Sequence, residues 1–196
     1  MIDLTEFESI SPYTDAEAAE ALSKLAEHPG VAIASKNFFP NEAPDFLKNV
    51  LKQVQTVDQF QELVMAKFVR WVLDNTVHNF SYSGIAHIDP EKAYLFLSNH
   101  RDIILDPAIT QLIFFNNAIP MTEIAVGDNL ISNQAIEYLI RSNRMIKVIR
   151  GVSARELYLS SQMLSKYIRI NVTNNRRSIW LAQRQGRTKD GYDTTE

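Results

Sequence analysis

Two regimes of hydrophobic spacing divide the chain. Up to about residue 78 the apolar positions recur every three or four residues, the interval of a helix face. Thr14 and Glu17 have the spacing of a capping box, Leu22, Leu25 and Ala26 follow on one face, and Pro29-Gly30 is a stop signal. Pro44 suits a first helical turn, and Phe46, Leu47, Val50, Leu51 and Val54 form a stripe behind it. Thr56 and Gln59 repeat the capping box ahead of the strongest stripe, Phe60, Leu63, Val64, Phe68, Trp71 and Val72. Together these segments predict a small N-terminal helical bundle over residues 1–78.

Near residue 80 the pattern becomes alternating, with Phe80, Tyr82 and Gly84 set against Ser81 and Ser83, and Asp89-Pro90 marks a turn. Beyond it, short apolar and β-branched runs at 93–97, 121–126, 145–149 and 178–182 alternate with helical segments. Those segments lie at 107–115, at 133–141 and from Ser153, which Glu156 completes as a capping box. The alternation predicts an α/β domain over residues 79–196, a mostly parallel central sheet flanked by helices. The first run reads as a buried strand, and the tail from Thr188 as exposed loop.

With 196 residues, 45% of them hydrophobic, the chain can bury a sizeable core. A formal charge of -3 argues against duplex nucleic acid as a partner. The absence of cysteine removes disulfides, thiolate zinc sites and a Cys nucleophile, and it fits a reducing compartment. MIDLTEFESI carries acids where a signal peptide carries Lys or Arg, and no apolar run approaches the roughly 20 residues of a membrane span. Neither export by that route nor a span is expected, which leaves association with a membrane surface open.

Ligands of open α/β sheets gather beyond the carboxyl ends of the strands. Three predicted strand ends are polar: Asn99-His100-Arg101-Asp102, followed by Asp106; Arg150; and 183–189, which contains Arg184, Gly186, Arg187 and Lys189. His100 brings a side chain whose unperturbed pKa, about 6.5, suits proton transfer, and a neighbouring carboxylate can fix its tautomer. A base, several cations and a glycine that admits a ligand to the backbone suit an anionic substrate. His28, His78 and His87 lack such neighbours and read as structural. The six glycines form no G-x-S-x-G, G-x-G-x-x-G or Walker pattern, and His100 with Asp102 and Asp106 is a weak metal signature, so no metal is expected.

The segment N-H-R-D-I-I-L-D, Asn99 to Asp106, resembles the first motif of the glycerolipid acyltransferase family, N-H-x-x-x-x-D, with five residues after His100 in place of four. Asp106-Pro107-Ala108 is similar to a tripeptide of some members. The likeness continues in order: 124–130 and 140–150 are similar to the second block, an apolar strand ending in arginine, here Arg150. SIWLAQRQGRT, 178–188, resembles the third block, with Gly186 and Arg187 matching and Arg184 standing where the usual glutamate falls. The resemblance spans roughly residues 80 to 190 and is nearest to a bacterial branch of the family.

It implies His100 as the general base and Asp106 as the acid that orients it. The acceptor would be a glycerol phosphate or lysophospholipid and the donor acyl-CoA or acyl carrier protein, with no other cofactor. Arg150, Gly186 and Arg187 would face the acceptor phosphate, Lys189 adding charge and Asn99, Arg101 and Arg184 supporting. The implied place is cytoplasmic, with peripheral attachment to the cytoplasmic face of the inner membrane left open. On a continuous helix the additional residue would turn Asp106 by about 100°, so a bulge or looser turn is expected before it, with Asp102 as the fallback partner. The family continues past its third block with a further strand, which predicts a domain incomplete at its C-terminus. The alternatives are a degenerate domain that binds lipid or acyl carrier protein without catalysis, and a hydrolase of acyl thioesters.

Overall fold

The structure, a computed structural model, describes residues 5–174, 176–182 and 188. It is α/β, with a four-stranded, all-parallel sheet flanked by helices and a helical bundle ahead of it. Two compact units make up the chain, one of residues 12–83 with 130–145, the other of 1–11, 84–129 and 146–196. A single cut at 78/79 therefore does not describe the division: residues 5–11 belong with the sheet, and 130–145 with the helices.

In the helical unit, α1 (Asp15–Leu25) opens on the reciprocal bonds expected of Thr14 and Glu17. The Thr14 N–H and hydroxyl both donate to the Glu17 carboxylate and hold its pKa below the usual range. α1 ends short of Pro29-Gly30, as expected, but the same dipeptide also starts a further helix, α2 (Gly30–Phe38). Its signal was the spacing of Val31, Ala34, Ser35 and Phe38, which a dipeptide breaker rule overrides. After α3 (Phe46–Gln53) comes a long helix in three parts: α4 (Val57–Phe60), a π turn (Gln61–Met65) and α5 (Ala66–Thr76).

Only half of the second capping box forms. Thr56 accepts from the Gln59 N–H, but the Gln59 side chain bonds the Gln55 N–H. The π turn also shifts the helix phase, so that Phe60, Gln61, Val64, Val69 and Leu73 are buried while Leu63 of the predicted stripe is exposed. Buried Gln61 has a partner there, accepting from Arg144 Nε at 2.8 Å. α7 (Gln134–Ser142), capped by Asn133, packs on α1 in this unit.

In the α/β unit the strands β1 (Leu95–Ser98), β2 (Glu123–Gly127), β3 (Met145–Val148) and β4 (Ile179–Ala182) lie in the order β1-β4-β2-β3. Leu95 is level with Ile179 and Glu123, and Phe96 with Trp180 and Ile124. Because side chains alternate across a strand, these two rows face opposite ways. The Phe96 row meets α6 (Leu105–Asn116) through Phe114, ring centroids 5.1 Å apart. The Leu95 row meets α8 (Ala154–Thr173), whose Tyr167 packs with Phe7, Ile10, Ile146 and Ile179.

Buried Glu123 on the α8 side accepts from the Tyr167 hydroxyl at 2.7 Å and from Arg177 at 3.1 Å. Burial and this neighbouring carboxylate push the Tyr167 pKa well above its ordinary range, so it remains a donor. The predicted burial of β1 does not hold: Phe96 and Ser98 are only half-buried and the opposite face is exposed. Leu95 and Leu97 are 43% and 58% exposed, because β1 is an edge strand and its α8-side face is open among the described residues. The alternation at 80–84 produces no strand; Phe80 and Tyr82 are exposed, outside any regular element. Among the described residues, no helix is long and apolar enough to cross a membrane.

Candidate functional site

A parallel sheet puts all four carboxyl ends on one edge, and the chain reaches that edge after Ser98, Gly127, Val148 and Ala182. After β1 the backbone leaves the sheet at Asn99 and does not become helical until Leu105. His100 sits in this turn, half-buried, with Nδ1 3.3 Å from Asp106 Oδ2. Asp106 lies in the first turn of α6, where the unpaired N–H groups and the helix dipole favour a carboxylate. The same Oδ2 accepts from the main-chain N–H of Arg101 at 2.7 Å and of Asp102 at 2.9 Å. The acid is thus fixed by the backbone of the turn, and the ring leans on a partner already held in place.

That arrangement absorbs the longer spacing after His100. Asp102 Oδ1 accepts from Ile104 and Leu105 N–H, each at 2.8 Å, so this carboxylate ties down the entry to α6. The additional residue is accommodated in a non-helical turn, and Asp106, not the fallback Asp102, approaches His100 Nδ1. In the tautomer whose Nδ1–H donates to Asp106, Nε2 is the nitrogen that can accept a proton. The contact is longer than the roughly 2.7–2.9 Å of a tight charge-assisted bond. Asn99 and Arg101 flank the ring on the exposed turn, the Asn99 carbonyl accepting from Ser98 Oγ.

Gly186, Arg187, Lys189 and Arg184 lie outside the described residues. Thr188 does not: its N–H donates to the His100 carbonyl at 2.8 Å, which joins Thr188 to the His100 turn. Arg150, after β3, is three strands away from β1, about 14 Å at the usual strand spacing. Its side chain runs inward, however. A Cβ built on Gly127, at the end of neighbouring β2, would lie 2.9 Å from Arg150 Nε and 3.2 Å from its Cδ. The arginine stem therefore reaches the end of β2, one strand in from its own. Its N–H is held by Asp128 Oδ1 at 3.0 Å.

Gly127 and Asp128 were not anticipated as site residues. A glycine and an acid just past a strand end are also what any tight turn contains, so no local signal separates the two roles. Among the described residues, no group of three or more His, Asp or Glu side chains is placed to share a metal ion. The edge can hold a base oriented by a buttressed carboxylate at one end and a guanidinium reaching in from the other.

A scan of this chain against models of known protein families found no match, and a search of curated proteins found none either.

Proposed function

We propose that the chain is an acyltransferase that moves a fatty acyl group from acyl-CoA or acyl carrier protein to the hydroxyl of a glycerol phosphate or lysophospholipid. The observation that carries this reading is the pairing of His100 Nδ1 with a carboxylate fixed by two main-chain N–H groups at the carboxyl end of a parallel strand. Nε2 takes the proton of the acceptor hydroxyl as its oxygen attacks the thioester carbonyl. The new C–O bond forms, the C–S bond breaks, and the leaving thiolate takes the proton back from the imidazolium. Asp106 holds the ring and favours its charged form in between. No covalent enzyme intermediate is needed. Arg150 supplies positive charge on the same edge for the acceptor phosphate, where a guanidinium is well suited.

The test is thioester consumption with and without acceptor. Turnover should require glycerol 3-phosphate or a lysophospholipid, and His100→Ala should lower kcat by about 10²–10⁴-fold, the usual contribution of general base catalysis. Full activity in His100→Ala overturns the mechanism. Thiol release without any acceptor identifies a hydrolase, and binding of acyl donor without turnover identifies a non-catalytic domain.

A further inference from the structure

We infer that Gly127 is a positioning residue for Arg150, keeping open the path by which that arginine reaches inward to an acceptor's phosphate. The inference rests on the acyl-transfer reading for the identity of the ligand, a phosphate monoester. It rests on the geometry at the end of β2 for the role of the glycine.

Three consecutive residues act on the same arginine or its surroundings. Gly127 lies under the arginine stem, Asp128 accepts the Arg150 N–H at 3.0 Å, and Asn129 packs against the Gly127 α-carbon. The backbone of Gly127, unlike that of Gly84 and Gly151, does not have a positive φ. Conformation alone therefore does not call for glycine there, and space does. A methyl group at this position would overlap Asn129 Oδ1 and stand 2.9 Å from Arg150 Nε, closer than side-chain carbons approach their neighbours. Asp128 holds the arginine main chain, so the side chain is what must move.

The direction of that movement matters because of the strand order. β3 is an edge strand and β2 is its inward neighbour, so the end of β2 lies between Arg150 and the ends of β4 and β1. From its own strand end the arginine is about 14 Å from that of His100, too far for the two to serve one small acceptor without the inward lean. A Cβ at 127 takes the place of the arginine stem, so the guanidinium must leave its position at the end of β2. His100 and Asp106, at the far end, are untouched.

The experiment uses the full chain as wild type, Gly127→Ala, Arg150→Ala and the double variant, each checked for folding by circular dichroism. Calorimetry measures glycerol 3-phosphate binding, and steady-state kinetics measure acceptor KM and kcat. Gly127→Ala should weaken binding and raise the acceptor KM by about tenfold, the worth of one charge-assisted hydrogen bond, with kcat within about twofold. In the Arg150→Ala background the same substitution should change neither, because no arginine remains to be displaced. Independent, additive losses, or an unchanged affinity in Gly127→Ala, overturn the inference. So does wild-type protein that binds no glycerol 3-phosphate, or binds it equally without Arg150. Arg150-dependent binding that Gly127→Ala weakens, in a protein with no acyl transfer, sinks the reaction and leaves the positioning role standing. If Gly127→Ala alone fails to fold, the pair Gly127→Ala and Asn129→Ala relieves the overlap with Asn129 while keeping that with Arg150, and the same outcomes apply.

Discussion

At the scale of single residues, the two acids near His100 have different work, and substitution separates them. Asp102 uses Oδ1 to accept two N–H bonds at the entry to α6, and an asparagine can do the same with its amide oxygen. Asp106 uses Oδ2 both for the turn and for the ring, and an asparagine there loses the negative charge that favours the imidazolium. Asp102→Asn should therefore leave kcat within about threefold, whereas Asp106→Asn should lower it by about 10²-fold or more, as expected when a base loses its orienting carboxylate. The reverse order of effects, read from kcat of the two purified variants, assigns the partner to Asp102. His100 was legible in the sequence because a polar cluster directly after an apolar run has few structural explanations. Its partner reads as Asp106 from the resemblance, with Asp102 as the fallback, and Asp106 is the acid that approaches the ring. Spacing alone does not choose between them, because the path of residues 101–104 is set by hydrogen bonds that spacing does not encode.

At the scale of elements, what was legible is what is local. Both complete capping boxes, at Thr14 and Ser153, form as their three-residue spacing requires, since donor and acceptor come from the same turn. The π turn was invisible because apolar periodicity is read at a fixed 3.6 residues, and here the phase changes at Gln61. Its effect can be measured by removing or adding one residue. Deleting exposed Glu62 should restore a regular helix in which Val69 and Leu73 fall eight and twelve positions after Phe60, in place of nine and thirteen, and keep facing the interior with it. Inserting an alanine after Ala66 instead leaves the π turn in place and rotates Val69 and Leu73 by about 100°, and re-exposing such side chains costs about 1.5–3 kcal/mol each. In urea titrations the insertion should lower stability by several kcal/mol, whereas the deletion should stay within about 1 kcal/mol of the intact protein. An insertion as stable as the deletion would show that the π turn sets no register.

At the scale of the whole molecule, an α/β class was legible from alternating runs, but strand order and unit membership were not, because both depend on pairings between distant segments. β4, last in sequence, lies between β1 and β2, and nothing in the run around Trp180 marks it as central except its apolar composition. The unit boundaries make the stronger point. A cut near residue 83, where the alternation of the chain changes, looks natural, yet the fragment 84–196 lacks Phe7 and Ile10, both buried in the core of the α/β unit. It also lacks the Ile10 carbonyl that accepts from the Lys147 N–H, and it leaves α7 without α1, on which that helix packs. Loss of a buried phenylalanine side chain alone costs about 3–5 kcal/mol, a large part of the 5–15 kcal/mol by which a domain is typically stable. The fragment should therefore show helical circular dichroism but no cooperative thermal transition and no fixed aromatic signal in the near ultraviolet, while the full chain shows both. In the full chain, Phe7→Ala should reproduce part of that loss, lowering stability by the same 3–5 kcal/mol. A fragment that melts as sharply as the intact protein would mean that residues 5–11 are accessory to the sheet and not part of its core.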